Sequence, residues 1–361
     1  MKILFVFYLP SGGLETLNRQ RRAALKDYQC EFLYYRQERT LINDHGAPVY
    51  ITNEDAQIKQ IIKKGNYDLV VITSDVGAMP RFRRLGYKGK IIYEVQGFGG
   101  KDRARQLFNQ AKPIITQYAD GLLTPRTPYV MEIFNDLFPT VPKYNFNNCI
   151  DCTKYAYKSL PKHSKPIVAW IGRIEDNKNW REFLNIGHRL IKENQDIELY
   201  MFEDPTLSTP AERSNFEAMR KELDIDDNLK ILANVPNSEM SAYFSKIGDS
   251  GGFLCVTSKT EGAPYAPLEA MSSCCPVLTT DCDGIRTAVI HDQTGKYYRI
   301  GNIDDAVKQA KELMNNLPLR EQIRQKALAH VQTNFSLERY HMNFTIMLQS
   351  LGLVKIGFYE K

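Results

Sequence analysis

Strand-like and helix-like segments alternate along this chain of 361 residues. Short runs rich in β-branched and aromatic residues form two series, which are KILFVFY, EFLYY, DLVVITS and KIIYEVQ, and then PIVAWIG, IELYMFE, LKILANV, GFLCVTS and CPVLTTD. Runs of this composition favour β-strands. Helical patterns such as LETLNRQRRAALKDY and NWREFLNIGHRLIKEN lie between them. The alternation predicts βαβ units, parallel sheets and an α/β fold of two Rossmann-like domains.

A stretch of Pro, Lys and Ser at 160–166, LPKHSKP, separates the two series. We therefore predict an N-terminal domain over 1–160 and a second domain over 161–335. The remaining segment, 336–361, carries a further helical pattern. The length of the chain is sufficient for two domains that each bury a core.

The composition is that of an ordinary globular chain, with 43% hydrophobic and 25% charged residues. No apolar run reaches the length of a membrane-spanning helix. The first residues, MKILFVFYLPSGG, alternate like a strand and do not have the pattern of a signal peptide. The seven cysteines lack the spacing of a disulfide framework. These features predict a cytosolic protein with reduced thiols.

Positive charge is concentrated in the first part of the chain. Residues 1–150 contain 21 Lys and Arg against 14 Asp and Glu, a balance of +7, and the rest contains 26 against 28, a balance of −2. The clusters are Arg19, Arg21 and Arg22; Arg81, Arg83 and Arg84; and Lys88, Lys90, Lys101, Arg103 and Arg105. They indicate either a solvated basic face or contact with an anionic partner, such as a membrane surface or a phosphorylated acceptor. Nucleic acid is not predicted, because no aromatic platform or nucleic-acid motif accompanies the clusters.

Two loops at the predicted carboxyl ends of strands are candidates for ligand binding, since ligands of such folds bind at these ends. In SGGLETLN, Gly12 and Gly13 allow close approach of the backbone just before a helix, although the dinucleotide fingerprint is absent. In GRIEDNKNW, Arg173 and Lys178 lie five residues apart. An arginine fork and a lysine point charge can together hold a diphosphate.

A third loop contains two carboxylates eight residues apart, Glu261 and Glu269, in TEGAPYAPLEAMSS. We predict Glu261 in the loop and Glu269 in the first turn of a helix that begins at Pro267. A helix N-terminus between two carboxylates attracts an anion. The arrangement suits a ligand with hydroxyls at both ends and a diphosphate between them. A nucleotide sugar is such a ligand.

Four segments, in the same order, resemble the signature of a known family. They are GGLETL, NCIDCTKY at 148–155, GRIEDNKN and EGAPYAPLEAMSSCCPVLTTDCDG. Together they resemble the retaining nucleotide-sugar glycosyltransferases of the large fourth family, the glycosyl transferases group 1. The resemblance implies the GT-B fold, in which two Rossmann-like domains face a cleft and a C-terminal helix returns to the N-terminal domain.

The resemblance also implies roles for individual residues. In the family, the residue matching Glu261 contacts the hydroxyls of the donor sugar, the one matching Glu269 contacts the ribose, and those matching Arg173 and Lys178 hold the diphosphate. We therefore take Arg173, Lys178 and Glu261 as the candidate catalytic residues. The candidate substrate-binding residues are Gly12, Gly13, Gln96, Val235, Gly262, Ala263, Tyr265, Leu268 and Glu269.

The chain departs from the family pattern at three places. Gln96 stands where members usually have a histidine, and glutamine hydrogen-bonds but does not ionise. Cys149 replaces the glycine of the family's N-G-V-D segment. Ala263 and Pro264 replace Phe-Gly, and Pro264 has no amide hydrogen to donate to a phosphate.

The prediction is a metal-independent, cofactor-free transferase that moves a hexose or N-acetylhexosamine from a nucleotide sugar. A UDP-sugar is favoured as donor, and a glycan, a lipid-linked acceptor or a cell-surface polymer as acceptor. The location expected is cytoplasmic, with peripheral contact at the inner face of the membrane. The alternatives are a non-catalytic nucleotide- or glycan-binding component and a sugar-nucleotide epimerase. The D-x-D strings at 224–226 and 281–283 leave a metal-dependent transferase as a remoter alternative.

Overall fold

The computed structural model describes residues 1–38, 40–41, 43–97 and 99–355. These residues form two compact units. The first unit comprises Met1–Asp151 together with the segment from Phe335 onward, and the second comprises Cys152–Asn334. The stretch 160–166, expected between the domains, lies in the second unit. The last six residues of the predicted tail, 356–361, lie outside the described residues.

The first unit is built on a parallel sheet of seven strands within the described residues, in the order β3-β2-β1-β4-β5-β6-β7. The strands are β1 (Lys2–Phe7), β2 (Gln29–Tyr34), β3 (Val49–Ile51), β4 (Leu69–Thr73), β5 (Lys90–Glu94), β6 (Gly121–Thr124) and β7 (Lys143–Asn145). Its helices are α1 (Gly12–Ala24), α2 (Asp55–Gly65), α3 (Ala78–Arg84), α4 (Lys101–Tyr118) and α5 (Pro128–Leu137).

The central strands of this sheet are apolar on both faces. In KILFVF of β1 the four interior residues are buried, and in LVVIT of β4 every residue is buried. Helices cover both faces of a parallel sheet, so its central strands are continuous apolar runs rather than alternating ones. Because of their continuous apolar runs, β1 and β4 could be predicted from the sequence.

The C-terminal helix α12 (Leu337–Ser350) returns to the first unit and packs beside α1. Tyr340, Phe344 and Met347 enter the core formed by the strand residues Phe5 and Phe32. The Phe344 ring lies 6.3 Å from that of Phe5, measured between centroids. The predicted return of the C-terminal helix to the N-terminal domain is confirmed.

The second unit contains a parallel sheet of six strands in its described residues, in the order β10-β9-β8-β11-β12-β13. The strands are β8 (Ile167–Ile171), β9 (Glu198–Glu203), β10 (Leu229–Ala233), β11 (Phe253–Val256), β12 (Val277–Thr280) and β13 (Lys296–Tyr298). The helices are α6 (Trp180–Glu193), α7 (Pro210–Glu222), α8 (Met240–Asp249), α9 (Tyr265–Ser272), α10 (Ile303–Asn315) and α11 (Leu317–Asn334). The α/β fold of two Rossmann-like sheets is thus confirmed.

Each sheet has one point where the strand order changes direction. In the first sheet this point lies between β1 and β4, and in the second it lies between β8 and β11. The loops that leave two such strands diverge and open a crevice at their carboxyl ends, where ligands of these folds bind. We therefore expect ligand-binding residues in the loops after β1, β4, β8 and β11.

The sequence did not predict the four-residue strand β6 or the edge strands β3, β7 and β13, which are three residues each. Three residues are too few to display a period of two. Helices α3, α4, α5 and α7 were also not predicted. In α4 the interior Pro113 argues against a helix in the sequence, yet the structure accommodates it.

No helix within the described ranges combines the length and the apolar character needed to cross a bilayer.

The packing of α12 generates a stability prediction. Phe344 is fully buried, whereas Met342 on the same helix is half exposed. We expect Phe344→Ala to lower the free energy of unfolding by about 3–5 kcal/mol, through lost burial and a cavity. Met342→Ala, the matched control, should change it by less than about 0.5 kcal/mol. Urea unfolding followed by fluorescence measures both, and equal effects would contradict the packing described.

Candidate functional site

In the first unit, the glycine pair follows β1 at the point where the strand order changes. Helix α1 begins at Gly12 itself, with Ser11 as its N-cap, and not after the glycines as expected. Gly12 has a φ of +65°, which favours glycine. A Cβ placed at Gly12 or Gly13 would meet no heavy atom of the described residues within 4 Å. Internal packing therefore does not require glycine here, and the open space is suited to an approaching ligand.

Gln96 follows β5 and belongs to a buried polar network. The Arg21 guanidinium donates two hydrogen bonds to the Glu94 carboxylate, at 2.6 and 3.1 Å, and both residues are almost fully buried. Thr73 Oγ1 donates to Glu94 Oε2 at 2.6 Å. Gln96 Nε2 donates to Glu94 Oε1 at 2.9 Å, and Gln96 Oε1 accepts from Asn148 Nδ2 at 2.7 Å. Both polar atoms of the Gln96 carboxamide are therefore engaged by neighbouring side chains, which fixes its orientation.

The basic clusters of the first unit are largely neutralised within the unit. Seven of the eleven residues form ion pairs: Arg19 with Glu15, Arg21 with Glu94, Arg81 with Asp55, Arg83 and Lys90 with Asp120, Lys101 with Glu132, and Arg105 with Glu132 and Asp136. The other four are Arg22, Arg84, Lys88 and Arg103. The excess of positive charge counted from the sequence is thus partly offset by carboxylates of the same unit.

In the second unit, the loop after β8, residues 172–179, is named the phosphate loop. It contains a 3₁₀ turn at Asp176–Lys178 and ends at Asn179, whose φ of +51° takes the conformation usually left to glycine. The Arg173 side chain is about half exposed, at 52%, and donates to Glu175 Oε1 at 2.9 Å. Arg173 thus lies at the surface of the carboxyl edge, with its guanidinium accessible to an anion.

The loop after β11, residues 257–264, is named the donor loop. It contains Glu261, which the structure brings against the phosphate loop: Lys178 Nζ lies 2.5 Å from Glu261 Oε1. Two loops separated by 83 residues in sequence therefore present a cation and a carboxylate side by side. They leave β8 and β11, the two strands at which the sheet order reverses.

The donor loop is also packed against the turn at Asp283–Thr287. A Cβ at Gly284 would lie 2.1 Å from the carbonyl oxygen of Glu261 and 2.4 Å from that of Gly262. Backbone therefore approaches backbone at this point. Beside it, burial and then the Glu261 carboxylate raise the pKa of the Cys282 thiol to about 11, so this thiol is protonated at neutral pH.

Helix α9 begins at Tyr265, with Pro264 as its N-cap. The prediction of a helix start at Pro267, with Glu269 in the first turn, is therefore wrong. Glu269 is the fifth helical residue and lies in the second turn. Pro267 is the third helical residue, where a missing amide hydrogen breaks no intrahelical bond, so the helix extends further toward its N-terminus than expected.

Glu269 is almost fully buried. It lies beside Asn237, which was not among the candidates predicted from the sequence. Asn237 Nδ2 approaches Glu269 Oε1 at 3.4 Å, and Asn237 Oδ1 accepts a hydrogen bond from the Tyr155 hydroxyl. Val235 is half-buried in the same loop after β10. Asn237 could have been predicted as a candidate from its place in the ANVPN segment, at the carboxyl end of a strand.

The remaining candidates line the start of α9. Gly262 and Ala263 are half-buried in the donor loop, while Tyr265 and Leu268 are buried in the helix. Leu268 as a whole residue is only 3% exposed, so little of it is accessible to a ligand. The structure thus brings Arg173, Lys178, Glu261 and the start of α9 to one edge of the second sheet, while Gly12, Gly13 and Gln96 lie on the first unit.

The D-x-D strings have other contacts in the structure. Both carboxylate oxygens of Asp281 accept from the Arg286 guanidinium, at 2.8 and 3.0 Å. Asp224 occupies a turn with φ +50°, and Asp226 pairs with Arg220 at 3.6 Å. Across the described ranges, no group of three His, Cys, Asp or Glu side chains is arranged to hold a metal ion.

The two parallel sheets and the C-terminal helix that returns to the first unit are the elements of the GT-B fold. Residues 153–330 match the family described as glycosyl transferases group 1. The match covers nearly all of the second unit, which is therefore a domain of this family.

Curated relatives match about half of the chain. It is 26% identical over 190 residues to an uncharacterized glycosyltransferase of Haemophilus influenzae, across 51% of each protein. It is 24% identical over 191 residues to a trehalose synthase of Pyrococcus horikoshii, across 52% of this chain and 45% of the relative. The chain spans about half the length of the curated relatives it matches.

Solved structures match nearly the whole chain in fold. HepE of Anabaena in complex with UDP-glucose has a TM-score of 0.82 at 15% identity, across 97% of this chain and 100% of that one. The sucrose-phosphate synthase of Thermosynechococcus elongatus has a TM-score of 0.79 at 16% identity, across 98% and 99%. At these identities the likeness establishes the fold.

The contact at Gly284 generates a prediction. We expect Gly284→Ala to destabilise the protein by about 1–3 kcal/mol, because the added methyl overlaps backbone that has little room to move. Gly13→Ala, where the methyl meets open space in a helix, should be neutral or stabilising by about 0.5–1 kcal/mol. Urea unfolding of the two variants measures the difference. Equal stability would show that the donor loop is not packed as described.

Proposed function

We propose that this chain is a retaining glycosyltransferase that transfers a hexose or N-acetylhexosamine from a UDP-sugar to a glycan, a lipid-linked acceptor or a cell-surface polymer. The observation that carries the proposal is the pairing of Lys178 with Glu261 at the reversal point of the second sheet. The exposed Arg173 and the N-terminus of α9 lie on loops at the same edge. This combination has positive charge for a diphosphate and a carboxylate for sugar hydroxyls.

The proposed division of labour follows the chemistry of the donor. Glu269 hydrogen-bonds the ribose hydroxyls, with Asn237 beside its carboxylate. Arg173 and Lys178 hold the diphosphate, and Arg173 exchanges its exposed contact with Glu175 for the phosphate oxygens. Glu261 accepts hydrogen bonds from the hydroxyls of the sugar. The backbone around Val235 contacts the base.

In this proposal the main catalytic task is stabilisation of the departing diphosphate. Charge develops on the phosphate oxygens as the glycosidic bond breaks, and preorganised cations and helix N–H groups oppose it. The departing phosphate accepts the proton of the acceptor, on the face from which it leaves. The protein then needs no titrating side chain at position 96. Gln96, with both polar atoms engaged, fits that requirement.

The UDP preference is supported by a solved neighbour, since the Anabaena protein of similar fold was crystallised with UDP-glucose. A second neighbour is a lipopolysaccharide outer core galactosyltransferase, with a TM-score of 0.66. We extend these donor and acceptor classes to this chain as part of the proposal. A role in polysaccharide or cell-envelope biosynthesis follows from them.

The first test is donor hydrolysis and transfer by single variants. We expect Arg173→Ala or Lys178→Ala to lower turnover of a UDP-sugar at least about tenfold, since one preorganised donor to a transition-state anion contributes about 10²–10³. Glu261→Ala should abolish slow hydrolysis in the absence of acceptor. Release of UDP from UDP-glucose, UDP-galactose and UDP-N-acetylglucosamine, with GDP-mannose for comparison, is the measurement.

Arg189→Ala and Lys192→Ala, on α6 away from the phosphate loop, are the matched controls and should keep wild-type turnover. Wild-type turnover in the Arg173 and Lys178 variants would refute the assignment. Thermal stabilisation by UDP with no turnover would support a non-catalytic binding component instead. A second sugar nucleotide formed without acceptor would identify an epimerase, and loss of activity with a chelator would identify a metal-dependent enzyme.

We also propose a cytoplasmic location with peripheral contact to an anionic membrane. The cations available for it are Arg22, Arg84, Lys88 and Arg103, because the other residues of the basic clusters are paired within the unit. Binding through so few charges is electrostatic and screened by salt.

The membrane prediction is tested by co-sedimentation with vesicles containing phosphatidylglycerol. We expect binding at about 50 mM salt that falls severalfold at about 300 mM, where the Debye length is shorter. A variant with these four cations changed to glutamine should lose the salt-sensitive binding, while Arg81→Gln, whose charge is already paired with Asp55, should retain most of it. Equal binding to neutral phosphatidylcholine vesicles would contradict the proposal.

A further inference from the structure

The phosphate loop and the donor loop are joined by a reciprocal pair of side-chain contacts. Asn177 Nδ2 donates to the carbonyl oxygen of Thr260 at 3.2 Å, and Thr260 Oγ1 donates to Asn177 Oδ1 at 2.9 Å. Both ends of one carboxamide therefore contact one residue of the opposite loop. This pairing fixes the orientation of the amide and the distance between the two backbones.

Three further hydrogen bonds flank this pair, one of them from Lys259 Nζ to Asp176 Oδ1 at 2.6 Å. The backbone N–H of Lys259 donates to the carbonyl oxygen of Asn177 at 2.8 Å. Thr257 Oγ1 donates to the carbonyl oxygen of Lys178 at 2.8 Å. The contact between the loops is thus a short ladder, and Asn177 contributes both its side chain and its backbone to it.

The ladder ends immediately before the two charged candidates. Lys178 follows Asn177, and Glu261 follows Thr260, so the residues next to the reciprocal pair are those whose side chains meet at 2.5 Å. A lysine ammonium on its four-carbon stem has many accessible rotamers. Its approach to one carboxylate oxygen therefore depends on the separation of the two backbones, which the Asn177–Thr260 pair sets.

We propose that Asn177 and Thr260 are positioning residues that hold Glu261 of the donor loop beside Lys178, in the place from which its carboxylate contacts the sugar of the donor. The inference rests on the proposed function for the identity of the ligand. Without the reciprocal pair, the donor loop and Glu261 move away from the phosphate loop. Contacts with the sugar are then lost, while the diphosphate contacts of Arg173 and Lys178 and the ribose contact of Glu269 remain.

A purely structural role would instead predict that the variants lose global stability. Asn177 and Thr260 are only partly buried, so their side chains contribute little to the core. The energetic consequence of their loss should therefore appear in ligand discrimination rather than in global stability. The discriminating quantity is the ratio of the affinities for a UDP-sugar and for UDP, which lacks the sugar.

The experiment compares Asn177→Ala and Thr260→Val, alone and together, by calorimetry with UDP and UDP-glucose. We expect the affinity for UDP-glucose to fall about tenfold while that for UDP changes less than about twofold, as expected for one or two lost hydrogen bonds. The double variant should be no worse than Asn177→Ala, because that change alone removes both hydrogen bonds, whereas Thr260→Val leaves the bond from Asn177 Nδ2 to the backbone carbonyl of position 260. Thr260→Ser, which keeps the hydroxyl, should restore wild-type discrimination.

A second readout needs no ligand. Hydrogen exchange of the amides at 258–263 should be faster in Asn177→Ala than in the wild type, with an unchanged thermal midpoint. Asn215→Ala, an exposed position on α7, is the matched control and should alter neither measurement. Unchanged exchange, or an equal loss of affinity for UDP and UDP-glucose, would overturn the positioning role. If the wild type bound no nucleotide while exchange rose in the variant, the proposed function would fail and the loop pairing would stand.

Discussion

The buried ion pair between Arg21 and Glu94 is the contact on which the carboxyl edge of the first unit depends. Two charges without solvent are tolerated only with excellent geometry and with their remaining hydrogen-bonding positions satisfied. The bidentate fork supplies the geometry, and Thr73 and Gln96 supply donors to the same carboxylate. The pair joins α1, whose first two residues are Gly12 and Gly13, to β5, which precedes Gln96. Its position at the edge therefore determines how the first helix and the adjacent loop are presented.

The second unit holds its edge in a different way. Its two loops are joined by hydrogen bonds between neutral groups, such as those of Asn177 and Thr260, and by the ion pairs Lys178–Glu261 and Lys259–Asp176. Unlike the fully buried Arg21, the Arg173 and Lys178 side chains are partly accessible, with exposures of 52% and 25%. This difference agrees with the proposed division, in which the second unit holds an anionic donor. Charge counted along the sequence was misleading for a related reason, since seven of the eleven clustered cations of the first unit are paired within it.

The strands of five or more residues and the loops at their ends were predictable, because these strands are distinctly apolar and a parallel sheet places every carboxyl end on one edge. The long helices α4 and α7 were not. That rule was sufficient to bring Arg173, Lys178 and Glu261 to the same edge from their positions after PIVAWI and FLCV. Contacts across long sequence separations were not predictable. Arg21 and Glu94 are 73 residues apart, and Asn177 and Thr260 are 83 apart. The local composition around each of these residues does not indicate which distant residue it contacts. The start of α9 was placed two residues late because proline at the third helical position was read as the beginning of the helix.

The network around Glu94 also explains why glutamine is acceptable at position 96. The Glu94 carboxylate already accepts from Arg21 and Thr73, and the neighbouring position must offer it an N–H and not another acceptor. A carboxamide meets this demand at every pH, because it does not titrate. A histidine meets it only in the tautomer or charge state with a hydrogen on the nitrogen that faces the carboxylate. With glutamine the geometry of the edge becomes independent of pH, and any proton transfer has to be carried by groups elsewhere. In the proposed reaction the phosphate of the donor accepts this proton. The side chains that stabilise the departing phosphate then all lie on the loops of the second unit.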